Sequence, residues 1–93
     1  MKLVKTDFYS KKEHKFFQKA SRINKYGEIL ETLQIDPFHN ALKTHKLKGN
    51  LNDFYACRLS YEYRMVCIII VQDDEITLVD IGSHDDVYQL KPA

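Results

Sequence analysis

Met65-Val66-Cys67-Ile68-Ile69-Ile70-Val71 is the longest unbroken apolar run in the chain. Seven residues fall far short of the ~20 needed to cross a bilayer, so the run does not read as a membrane helix. It is rich in β-branched residues and lacks polar alternation. That pattern predicts a central strand covered on both faces, at least in part.

Two more stretches of strand length flank it. Phe54 to Leu59 precedes a strand from Tyr63 to Val71, and Glu75 to Gly82 follows it. Asp73-Asp74 marks the turn between the last two, because aspartate bonds its own backbone in turns. Ser83 to Leu90 reads as a C-terminal tail of about one helical turn.

Further upstream the period changes. Residues 2–8 predict a first strand. Ser10 followed by Glu13 fits a capping box, in which hydroxyl and carboxylate satisfy orphan backbone N–H groups. A helix from there to Ala20 would bury Phe16, Phe17 and Ala20. Ser21 could cap a second helix, whose Ile23, Tyr26, Leu30 and Leu33 share one stripe. Asp36-Pro37 ends that helix, since a residue before proline avoids helical geometry. Two helices so close in sequence predict an antiparallel helical hairpin. Phe38 to Asn52 reads as a loop rich in Lys, His and Asn. The order is β-α-α-β-β-β with a short tail: an α+β domain spanning 1–93, an antiparallel sheet packed against a helical hairpin.

Composition narrows the class. The chain has 93 residues, 44% hydrophobic and 29% charged, as expected of a globular domain with one modest core. The N-terminus shows no long apolar stretch followed by a small-residue cleavage site, so the expected location is the cytoplasm. Net charge is only +1 but unevenly spread: residues 1–50 carry a net of +6 and residues 51–93 a net of −5. A basic first half suits a polyanion, although solvated helix faces would give the same count. Cys57 and Cys67 flank a hairpin centred near Glu62. In a reducing compartment they read as two buried thiols rather than a cross-strand disulfide.

Three motifs carry a family resemblance. His45-Lys46-Leu47-Lys48-Gly49 is similar to the H-P-L-x-G loop of YafQ-like toxins. Arg58-Leu59-Ser60-Tyr61-Glu62-Tyr63-Arg64-Met65-Val66 resembles the turn-and-strand R-I-x-x-E-H-R-L-V of YoeB and the Y-R-L-V of RelE. Ile81-Gly82-Ser83-His84, with Tyr88 four residues on, resembles the G-T-H-x-x-x-F ending of YafQ. The order and spacing match the RelE/ParE superfamily of toxins from type II toxin–antitoxin pairs, in the RelE/YafQ/YoeB branch.

The resemblance implies a fold, an activity and a site. The activity is ribosome-dependent mRNA cleavage, in which a ribose 2′-hydroxyl attacks the adjacent phosphate. The substrate supplies its own nucleophile, so neither metal nor other cofactor is expected. The step wants a base at the 2′-hydroxyl, an acid at the leaving 5′-oxygen and a cation at the phosphorane. Histidine suits either proton role, with a free pKa of ~6.5. The resemblance then makes His45 the general base and His84 a general acid or base. Arg64 would hold the phosphate, and Glu62 would orient a histidine or serve as base. Lys46, Lys48 and Arg58 would contact RNA, and Tyr88 would stack on a base. The partners implied are a cognate antitoxin, the ribosome and mRNA.

Each residue also has a plainer reading. His45 and His84 could be exposed histidines without a role, and Glu62 a polar turn residue. Arg58 and Lys48 could be solvated, and Tyr88 could close the core. Arg64 could form an internal salt bridge with Glu62 or Asp80. Tyr55 and Cys57 replace the lysine pair of RelE, which leaves a set closer to that of YafQ. Arg58 stands near the position of a second YafQ histidine. His14 and His39 read as surface residues, since their spacing fits no regular zinc pattern. A ParE-like gyrase inhibitor and a catalytically silent antitoxin-binding component are the competing functions.

Overall fold

The computed structural model describes residues 1–18, 25–47, 53–83 and 87. Strand β1 covers Lys2–Lys5, helix α1 Asp7–Gln18 and helix α2 Tyr26–Ile35. A 3-10 turn at Asn40–Leu42 leads into β2, His45–Lys46. Strands β3 (Tyr55–Arg58), β4 (Tyr63–Ile70) and β5 (Glu75–Ser83) follow. The fold is α+β, and among the described residues the strands form one sheet in the order β1-β5-β4-β3-β2.

The sheet is mixed rather than antiparallel. β1 runs parallel to β5, with Lys2 opposite Glu75 and Lys5 opposite Leu78, while the other pairings are antiparallel. A tight turn would have forced antiparallel pairing, but most of the chain lies between β1 and β5, so either direction is open. β2 is a strand that sequence did not suggest. At two residues it has no periodicity to read, and it exists because His45 and Lys46 find Ala56 and Tyr55 across the ladder.

The first helix starts earlier than its sequence suggests. β1 stops at Lys5, and the Thr6 hydroxyl accepts the Tyr9 N–H at 3.0 Å while donating to the Leu78 carbonyl at 3.0 Å. Thr6 therefore caps α1 and fastens its start to β5. Ser10 lies one turn inside, with its N–H on the Thr6 carbonyl. Glu13, the other half of the expected capping box, instead binds Lys5 Nζ at 2.9 Å and accepts from the Tyr26 hydroxyl. α2 ends as expected: Asp36 is extended, ahead of Pro37. The Ser21 cap and Ile23 lie outside the described residues.

Two apolar clusters form on opposite faces of the sheet. The larger joins Tyr9 and Phe16 of α1 and Leu33 of α2 to Cys57, Met65, Cys67, Ile76, Leu78 and Ile81. The smaller comprises Leu47, Ala56, Val66 and Val87, with Phe54 and Val79 against it. Successive side chains of a strand point to opposite faces, so Met65, Val66 and Cys67 are all buried because β4 is covered on both sides there. Cover ends before the strand does, and Ile70 and Val71 are exposed. The turn after β4 closes at Asp74, in left-handed geometry at φ 53°.

Cys57 and Cys67 are free, fully buried thiols with sulfurs 3.7 Å apart. Their mutual hydrogen bond, reinforced by burial, pushes the Cys67 thiol far up. Both behave as core residues. No helix among the described residues is long and apolar enough to cross a membrane.

Candidate active site

Strand register assembles the site. Ala56 pairs with Val66, and both bury against the smaller cluster. Residues directly opposite in an antiparallel ladder share a face, as do residues two apart in a strand. His45 pairs with Ala56, and Arg58 pairs with Arg64 two residues further along. His45, Arg58 and Arg64 therefore stand on one face, around an apolar floor of Ala56, Val66, Leu47 and Val87. The row of arginines lies about 7 Å along the strands from the row of His45.

His45 is exposed on the edge strand, and Lys43 aims it. Lys43 adopts left-handed geometry at φ 51°, which turns its carbonyl to the imidazole Nδ1 at 2.9 Å. A carbonyl only accepts, so Nδ1 carries a proton. In the neutral ring the basic lone pair is then on Nε2. The loop before β2 is held by Thr44, whose hydroxyl donates to the Pro37 carbonyl at 2.6 Å.

Arg64 forms neither salt bridge considered from sequence. Asp80 is buried and taken by Lys12, with Nζ 2.6 Å from Oδ1. Glu62 is exposed in the turn and makes no ion pair among the described residues. Arg64 Nη1 instead donates to the carbonyls of Ser60 at 2.6 Å, Tyr63 at 2.9 Å and Tyr61 at 3.2 Å. The guanidinium fastens the β3–β4 turn with one nitrogen. Nη2 and Nε, the outer edge of the fork, make no hydrogen bond among the described residues.

Arg58 is half-buried and has no ion pair among the described residues. Lys46 does not join the group. Neighbouring His45 in sequence, it takes the opposite face, 5.8 Å from the Tyr55 ring centroid, and lines an open depression of about 430 Å³ with Asp53, Tyr55, Ile68 and Ile69. Lys48, His84 and Tyr88 lie outside the described residues. His39 caps the 3-10 turn by accepting the Ala41 N–H, and His14 is exposed. Sequence reasoning missed Lys12 as the partner of Asp80. Only an acidic residue inside a buried strand signalled that a cation had to come from elsewhere.

The arrangement offers a base and two cations on one sheet face, the outfit for chemistry at a phosphodiester. Comparison with known proteins places the chain in a family. The family model described as "Bacterial toxin of type II toxin-antitoxin system, YafQ" matches residues 1–89. A copper-bound mutant toxin from Helicobacter pylori is similar at 25% identity and TM-score 0.78, over 94% of this chain and 98% of that one. YafQ from E. coli superposes with TM-score 0.77 at 12% identity, over 92% and 96%. The E. coli DinJ–YafQ complex gives TM-score 0.76 at 14% identity, again over 92% and 96%. No curated protein sequence matches the chain.

Proposed function

The chain belongs to the YafQ family of bacterial type II toxins, and from that premise we propose that it is an endoribonuclease that cuts mRNA on the ribosome. The observation that carries this reading is the shared face of His45, Arg58 and Arg64. His45 Nε2 takes the proton of the 2′-hydroxyl, whose oxygen attacks the adjacent phosphorus. Charge building on the phosphorane oxygens meets the outer edge of Arg64, fixed in advance by the turn carbonyls. The bond to the 5′-oxygen breaks, and His84 protonates that oxygen by analogy with the family motif. The products are a 2′,3′-cyclic phosphate and a free 5′-hydroxyl. Glu62, exposed in the turn, orients a histidine or serves as the base in its place.

The same premise gives the protein an antitoxin partner, as DinJ is for YafQ in the complex of that pair. A disordered acidic segment that folds over the arginine face would block the site, and its ordering would give a large negative heat-capacity change. The ribonuclease reading is tested by inducing the chain from a tight promoter and mapping mRNA 5′ ends. New ends inside translated frames support it. Growth arrest with intact mRNA and trapped gyrase–DNA complexes overturns it in favour of a ParE-like action.

A further inference from the structure

The tip of the β3–β4 hairpin carries two features that a structural role leaves unexplained. Arg58 and Arg64 are direct cross-strand partners, a placement that costs stability when both residues carry the same charge. No described carboxylate relieves them, because Asp80 is bound to Lys12 and Glu62 pairs with neither. Arg64 is pinned by Nη1 to three turn carbonyls, which hold its guanidinium at the hairpin tip. An anion bound on this face would offset that cost.

The second feature is Tyr61. The residue is 84% exposed, the highest value among the exposed large hydrophobic residues described. Small polar residues are usual at such a tip. The Tyr61 carbonyl accepts from Arg64 Nη1 at 3.2 Å, which ties the tip to the guanidinium. Exposed aromatic rings stack on unpaired bases, and tolerate any base because each presents a π-face.

We propose that Tyr61, at the hairpin tip, stacks on the base beside the phosphate that the Arg58 and Arg64 face holds in the ribonuclease reading, so that the tip grips one nucleotide of single-stranded RNA. The clamp rests on the ribonuclease reading of the same face and adds a specificity-determining residue to it. Tyr61 chooses where the strand sits, while Arg64 serves both grip and chemistry.

A short labelled RNA with 2′-O-methyl groups binds without being cut, so binding to the full chain can be followed by fluorescence anisotropy. Tyr61→Ala should weaken binding about tenfold, and Tyr61→Trp should retain it. Arg58→Ala should weaken binding and flatten its salt dependence. Neither Tyr61→Ala nor Arg58→Ala should lower Tm, since one removes an exposed ring and the other relieves repulsion. Equal binding by Tyr61→Ala and the unmodified protein, or equal affinity for the same RNA in a duplex, overturns the clamp. Cleavage on translating ribosomes, measured on the same preparations, separates the two readings. Cutting without oligonucleotide binding overturns the clamp and leaves the nuclease. Tyr61-dependent binding without cutting supports the clamp and overturns the nuclease.

Discussion

Lys12 Nζ lies 2.6 Å from Asp80 Oδ1, so a cation on α1 neutralises the buried carboxylate of β5. The same carboxylate accepts the Ile81 N–H at 2.8 Å. The pair ties helix to sheet and withholds Asp80 from Arg64. Its side chains differ in exposure, 34% for Lys12 and 3% for Asp80. Removing the lysine therefore strands a charge that water barely reaches.

Lys12→Met should lower stability by about 2 kcal/mol, less than for a wholly buried pair because Lys12 is partly solvated. Adding Asp80→Asn should recover much of the loss, since the amide oxygen still accepts from Ile81. Urea denaturation of both variants measures this, with Lys11→Met as an exposed control. Equal midpoints for Lys12→Met and Lys11→Met would show that the pair contributes nothing.

Two substitutions separate the turn bonds of Arg64 from its proposed phosphate contact. Arg64→Ala loses the turn bonds as well as the phosphate contact. It should cost about 1–2 kcal/mol of stability and about a hundredfold in cleavage. Arg64→Lys can still donate to the turn carbonyls but cannot fork onto a phosphate. Its Tm should stay near that of the parent while single-turnover cleavage falls at least tenfold. Full activity in Arg64→Lys, or in the folded fraction of Arg64→Ala, would assign the arginine to the turn alone.

His45 should matter to chemistry and not to folding. It is exposed on a two-residue edge strand. His45→Gln should reduce cleavage about a hundredfold and shift Tm little. In the proposed reaction the nucleophile comes from the substrate. Protein treated with a chelator, desalted and returned to intact ribosomes should therefore cut at its original rate. A rate restored only by added copper or zinc would count against the assignment.

Tyr9 and Tyr26 should resist alkali. Burial pushes the Tyr9 hydroxyl well above its usual range, partly countered by the 2.6 Å hydrogen bond to Tyr26. Burial also raises Tyr26, helped by Tyr9 and by its bond to Glu13. A pKa raised on folding favours the folded state while the hydroxyl is protonated. That contribution is complete below the unfolded value of ~10 and is lost as pH rises beyond it. Ultraviolet titration should show Tyr9 and Tyr26 ionising only on unfolding, and Tyr9→Phe should remove one resistant group. Smooth ionisation of all six near pH ~10, with the fold intact by circular dichroism, would contradict the buried network.

Local chemistry determined much of this protein. The apolar run from Met65 located the central strand, Asp36-Pro37 stopped α2, and Asp73-Asp74 marked the turn into β5. Each of these follows from neighbours within a few residues, and the family motifs added the chemistry to look for. Only the tertiary structure decided which residues meet. His45 joined Arg58 and Arg64 while Lys46 went to the other face, because a one-residue shift of register exchanges the faces of a strand. That register is set by packing Val66 and Met65 into opposite clusters. The same applies to Lys12 with Asp80, to Glu13 with Tyr26, and to β1 lying parallel to β5. Their partners are far apart in sequence, and no local period encodes a contact that exists only after both faces of the sheet are covered.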